Sequence, residues 1–219
     1  AFSYTCNSVM DRFAAELLNI LIPANQVEEA MENVSNVMSM ADVDHELDDN
    51  LLKAELYVAN ISQQNIPLGI KIVSNISKLI YGKMYSWVGQ INPQNRILVE
   101  KVLARVVKQW DYLLIDEEVR LELLAYSYHG LIKSKPFFDG NERVARIFVN
   151  YLALRQNLPI FSLAPSKKDS KSYRKYIKTL KSADNGDLVP LKEYIRGILY
   201  LNNKSSSKSG LGPSATVSD

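Results

Sequence analysis

Cysteine and histidine are scarce in this 219-residue chain: there is one cysteine, Cys6, and there are two histidines, His45 and His129. A lone thiol excludes an internal disulfide and a thiolate metal cluster. His45 stands in an acidic stretch with no partner set for a metal site. No run of about 18 apolar residues occurs, and the first residues lack a basic segment followed by an apolar one, so no membrane association is expected. A soluble protein is expected, in the cytosol or delivered into that of a host. Charge of one sign is lacking too. The 26 basic and 24 acidic residues leave a net charge of +2, too little for a field that would draw the whole surface to nucleic acid or membrane.

What remains is an ordinary globular composition, 47% apolar and 23% charged, with enough length to bury a real core. Apolar residues recur at helical spacing almost throughout. Phe13, Leu17, Leu18 and Leu21 predict one helix, and Val27, Ala30, Met31, Val34, Val37 and Met38 a second, with Pro23 between them. The acidic stretch from Asp42 to Asp49 predicts a loop and the first turn of a third helix ending near Ile61. Pro67 opens a fourth, through Ile70, Val73, Ile76, Leu79 and Ile80 toward Trp87. Further helices are predicted over about 95–114, 117–132, 141–157, 169–182 and 187–201. No strand pair with a two-residue turn and no repeat is present, so the fold class is all-α. Three regions are expected: an N-terminal helical segment over 1–65, a main domain over 66–202, and a flexible Lys- and Ser-rich tail over 203–219.

One segment carries chemistry. From Lys135 it reads Lys-Pro-Phe-Phe-Asp-Gly-Asn-Glu-Arg-Val-Ala-Arg and runs directly into a helix whose stripe is Val144, Ile147, Phe148, Tyr151 and Leu152. The start of that helix presents unpaired N–H groups and the positive end of a dipole, which together suit an anion. Arg143 and Arg146 share an edge near this turn. Gly140 lets the backbone approach a ligand closely, and Asn141 or Asp139 can cap the helix. Asp139 can also hold a magnesium ion through one carboxylate plus substrate phosphates. The combination points to a nucleotide polyphosphate, while an ordinary capped turn flanked by solvated arginines is the plainer reading of the same residues.

The segment resembles the signature of the Fic family, His-Pro-Phe-x-Asp/Glu-Gly-Asn-Gly/Lys-Arg-x-x-Arg. The likeness extends backward through Tyr128-His129-Gly130-Leu131-Ile132 and forward through Arg146 to Leu154. It recurs from Ile76 to Ile91, which contains Tyr85-Ser86-Trp87-Val88-Gly89-Gln90, and from Ala183 to Leu191. About two thirds of the chain, from Ile66 to Leu201, is covered. The resemblance implies a Fic-like helical bundle that transfers AMP, or another phosphate-linked group, from a nucleotide to a hydroxyl of a target protein. It implies that Asp139 holds magnesium and that Asn141 and the amides around Gly140 line the anion hole. Arg143 and Arg146 would then hold the outer phosphates of ATP or another nucleoside triphosphate, and Phe137 would anchor the loop.

Three departures bear on that expectation. Lys135 stands where the family has its general-base histidine. An ordinary lysine is protonated at neutrality, so Lys135 acts as a base only if burial or nearby cations favour the neutral form; otherwise it is a phosphate ligand or a solvated loop residue. Glu142 replaces a glycine or lysine of the anion hole. It stands four residues before Arg146, a spacing worth about 0.2 to 0.5 kcal/mol when exposed, and a Glu142–Arg146 pair is expected to compete with the outer phosphate. The stretch between Trp87 and Lys135 is shorter than the family's, leaving Asn92 to Leu98 as a stub of the hairpin flap that clamps a target chain. The family's inhibitory pattern, Ser/Thr-x-x-x-Glu-Gly/Asn, does not occur.

Two other features have plainer readings. His129 lies six residues before Lys135, about 9 Å along a helix, and reads as a packing residue or, less simply, a substitute base. Lys167 to Lys181 holds seven basic residues and one acid, but Tyr173, Tyr176, Ile177 and Leu180 form a core stripe, which leaves the cations as a solvated face and not a nucleic-acid site.

Overall fold

Seven helices follow one another among the described residues, with no strand: α1 Met40–Ser62, α2 Ile70–Tyr81, α3 Arg96–Gln109, α4 Glu117–Ser134, α5 Asn141–Leu154, α6 Ser170–Asp184 and α7 Val189–Ser207. The computed structural model describes residues 40–64, 66–82, 84–85, 87–110, 116–165 and 170–207, with side chains from 46 to 200 within those ranges. The two helices expected before residue 39 and most of the expected tail lie outside them.

α5 is the centre of the packing. Ten of its fourteen residues are buried, polar Arg143 and Asn150 among them, as expected of a helix enclosed on nearly every side. It packs against α4, α1 and α2, and α4 packs in turn against α3, α6 and α7. A helix gripped on three sides has no freedom to slide, so its N-terminus, the expected anion site, is presented at a fixed place.

Local chemistry explains where several helices begin and end. Asp116 caps α4 by accepting a bond from the Glu118 amide at 2.8 Å, with Glu117 and Glu118 in the first turn where the helix dipole favours them. α2 buries Ile72, Val73, Ile76, Ile80 and Tyr81. It stops at Gly82, where φ is 53°, five residues before the Trp87 limit expected from its apolar pattern. Tyr85 and Trp87 continue the apolar character from a turn, their rings stacked at 5.3 Å.

α1 corrects one expectation: the acidic stretch from Asp42 to Asp49 is helical throughout, with no loop. Leu47, Ala54, Val58 and Ile61 of α1 are buried in the common core, and α1 packs against α2 and α5. At the other end α7 continues to Ser207, past the 202/203 boundary read from composition.

α1 and α5 are also joined by a buried acid. Glu55, 4% exposed, accepts a bond from Asn150 Nδ2 at 3.2 Å, and Asn150 Oδ1 accepts one from the Phe161 amide at 3.1 Å. The second oxygen, Oε2, has no partner. Burial raises the Glu55 pKa to about 7, against the opposing influence of the Asn150 bond and the Arg146 charge.

Candidate active site

The segment from Lys135 to Arg146 forms a tight loop between α4 and α5, and three contacts hold it. Asn141 turns back to Phe137, accepting from its amide at 2.8 Å and donating to its carbonyl at 3.0 Å. Phe137 is itself buried to 1%, in the anchoring place expected for it. Outside the loop, Asn95 Nδ2 donates to the Lys135 carbonyl at 3.0 Å and the Asn92 amide to the Pro136 carbonyl at 2.8 Å. The expected stub of a flap is therefore a tether for the loop. Asn141→Ala removes both bonds to Phe137 and should lower stability by about 2 kcal/mol; urea denaturation at unchanged m-value checks it, and a loss under about 0.5 kcal/mol would mean that Phe137 burial alone holds the loop.

Neither Asn141 nor Asp139 caps α5. The N-cap is Gly140, in the left-handed region at φ 69°, with no side-chain cap bond. Glycine is needed there for a second reason: a Cβ would lie 1.6 Å from the Tyr81 hydroxyl. Tyr81, 1% exposed, reaches under the loop from the end of α2 and packs beside Tyr85 and Trp87. Its hydroxyl accepts from Arg143 Nη1 at 3.5 Å.

Arg143 is buried, 6% exposed, and its Nε has no partner. Its pKa is nonetheless raised: burial pulls it down most, but the Tyr81 phenol and the carboxylates of Asp139 and Glu142 outweigh that. The backbone amides from Phe138 to Arg143 donate to no carbonyl among the described residues. The junction thus combines a charged guanidinium lacking a full partner set with a run of amides that have no carbonyl partner, a combination that favours an anion. Arg143 and Arg146, three residues apart on α5, differ in burial. Arg146 is half-buried, and its charge acts on Glu55 and Tyr128.

Glu142 does not pair with Arg146 among the described ion pairs. Its Oε1 accepts from the Tyr176 hydroxyl of α6 at 2.7 Å and, at 3.4 Å, from the Tyr128 hydroxyl of α4. The two phenols are 2.6 Å apart. Burial first, and then the Glu142 charge on Tyr128 and the Tyr128 and Glu142 charges on Tyr176, push both phenols far above their ordinary pKa. Both stay protonated, and with one proton each the short contacts set the order: Tyr128 donates to Tyr176 and Tyr176 to Glu142. A buried hydroxyl chain satisfies the carboxylate better than a solvated i, i+4 arginine would, which is the reason the expected pair is absent.

Lys135 ends α4 in the left-handed conformation, φ 44° and ψ 63°, with its side chain exposed. It lacks the burial on which a lysine base depends. His129 is turned away from the loop: its Nε2 lies 2.8 Å from Asp184 Oδ1 and braces α4 against the end of α6. Asp139 is half-buried, and its charge reaches Tyr81, Tyr85 and Arg143. Among the described residues no three His, Cys, Asp or Glu side chains converge on a metal position. A magnesium ion at Asp139 would take its remaining ligands from phosphate and water, as that hard cation commonly does. Sequence reasoning missed Tyr81, and took Tyr176 and Tyr128 for helix body; apolar periodicity scores a buried tyrosine like a phenylalanine and says nothing of its hydroxyl.

Residues 67–153 match a sequence model of the Fic/DOC family. It is 35% identical over 71 residues to the protein adenylyltransferase Fic of Drosophila persimilis, a match covering 32% of this chain and 13% of that protein. The fold is that of solved Fic domains. A Fic domain containing signaling protein from Bacteroides thetaiotaomicron superposes with a TM-score of 0.70 at 16% identity, covering 94% of this chain and 92% of that one. BepC, an effector from Bartonella tribocorum with bound AMPPNP, superposes with a TM-score of 0.58 at 13% identity, covering 78% and 92%.

Proposed function

We propose that the N-terminus of α5 binds a nucleoside triphosphate, ATP first among them, and that the domain transfers AMP or a related phosphate-linked group to a hydroxyl of a target protein, slowly or in altered form. The observation that carries this reading is Arg143, charged and incompletely partnered at a junction whose backbone amides have no carbonyl partner. The adenylyltransferase relative and the AMPPNP-bound neighbour support it. Arg143 and Arg146 hold phosphates, Gly140 lets the ligand approach the backbone, and Asn141 keeps the loop in shape. Asp139 holds magnesium, which when bound neutralises phosphate charge and supports departure of pyrophosphate. Glu142, fixed by two phenols, limits the negative charge the site accepts.

The weak step is proton removal from the attacking hydroxyl, because exposed Lys135 replaces a base that titrates near neutrality. That exposure favours a second reading, nucleotide binding without turnover. No described helix is long and apolar enough to cross a membrane, and the cytosol, its own or a host's, is the proposed compartment.

Calorimetric titration with ATP, with and without magnesium, tests both readings. Magnesium-dependent binding by the natural chain is expected, with the Lys135→His, Glu142→Gly double variant binding about tenfold tighter and transferring AMP to a hydroxyl of its own chain with release of pyrophosphate. Binding without pyrophosphate release in either protein selects the second reading, and no binding by either rejects both.

A further inference from the structure

The side of α6 that faces away from the core carries Lys171, Arg174, Lys175, Lys178 and Lys181, all exposed. They recur every three or four residues and so form one stripe about 15 Å long. The opposite side holds Tyr173, Tyr176, Ile177, Leu180 and Ala183 against the core. The five cations make no ion pair with a described residue; Arg174 Nε donates to the Ser170 carbonyl, and Lys175 lies 5.9 Å from the Tyr194 ring. By contrast, Lys192 and Arg196 of neighbouring α7 are both paired with Glu118, and Arg196 also with Glu193. The helix's one described acid, Asp184, faces His129.

We propose that this stripe is a docking surface for an acidic segment of a partner protein. Cations at helical spacing without counterions repel one another, and a run of carboxylates laid along them relieves that repulsion. The surface suits carboxylates better than nucleic acid: its tyrosines point inward, so bases have no aromatic platform to stack on. It suits them better than a membrane, because none of the exposed large apolar side chains belongs to α6, and none can enter the acyl region beside the lysines. The position has a consequence. Tyr176, on the inner face of the same helix, holds Glu142 in the first turn of α5, so an acidic partner on α6 lies one helix diameter, about 10 Å, from the candidate site. The surface stands without the nucleotide reading, and its test uses no nucleotide.

Fluorescence anisotropy of a labelled poly-glutamate peptide, titrated with the whole chain at low and near-physiological salt, tests it. The natural chain is expected to bind in a salt-dependent way. The triple variant Lys171→Glu, Lys175→Glu, Lys178→Glu should bind about tenfold more weakly or less, with the Gln triple intermediate. A control triple of equal charge change elsewhere, Lys71→Glu, Lys101→Glu, Lys108→Glu, should lose under about threefold. Circular dichroism on every variant confirms that the helices persist. Absence of binding, equal loss in both charge-reversed triples, or tighter binding to a single-stranded oligonucleotide or to phosphatidylserine vesicles than to the peptide overturns the proposal.

Discussion

Gly140→Ala is expected to destabilise the chain by about 4 kcal/mol and to distort the loop before α5. Two costs combine. A left-handed backbone at an alanine costs about 1 to 2 kcal/mol, and forcing a methyl into filled space costs about 1 to 3 kcal/mol more. The space is filled by Tyr81, whose hydroxyl, Cζ and Cε2 would lie 1.6, 2.3 and 2.7 Å from the new Cβ. Tyr81→Phe in the same chain should therefore rescue little, because the ring carbons still collide. Tyr81→Ala should relieve the collision and leave the cost of the backbone together with that of a cavity. Chemical denaturation of the three variants decides this. A Gly140→Ala loss below about 1 kcal/mol would mean that the loop moves aside and that Tyr81 does not set its position.

Glu55→Gln is expected to stabilise the chain at pH 8 by about 3 kcal/mol and to change little below pH 4.5. The carboxyl is raised from 4.5 to about 7 by burial, so between those values the folded chain keeps a proton that the unfolded chain has released. Stability is then full below 4.5 and falls as pH rises through about 7. At about 1.4 kcal/mol per pKa unit the interval amounts to about 3 kcal/mol. Gln keeps the acceptor that Asn150 needs and has no proton to lose. The measurement is the difference in unfolding free energy between variant and natural chain from pH 4.5 to 8, in which other titrating groups cancel. A difference independent of pH would show that Glu55 is not held neutral.

The two variants also separate what could be read from the chain. Gly140 was legible as a special residue because a glycine between aspartate and asparagine, just before an apolar stripe, marks a turn; that Tyr81 forbids any side chain there was not, since the two lie 59 positions apart. Glu55 was invisible. It occupies one position in an amphipathic helix, and only the approach of α5 takes it out of water. The end of α2 was misjudged because the apolar pattern continues through Tyr85 and Trp87 after the helix has stopped at Gly82.

By itself the sequence determined the helices of the described residues, the turn before α5 and the likeness to Fic domains, because periodicity, turn residues and a contiguous motif are local properties. Tertiary structure alone decided the partners. Glu142 bonds to Tyr176 of α6 and not to Arg146, Arg143 is buried against Tyr81, and residues 40–62 belong to the core, because which side chains meet across helices depends on how the helices pack and not on their spacing along the chain.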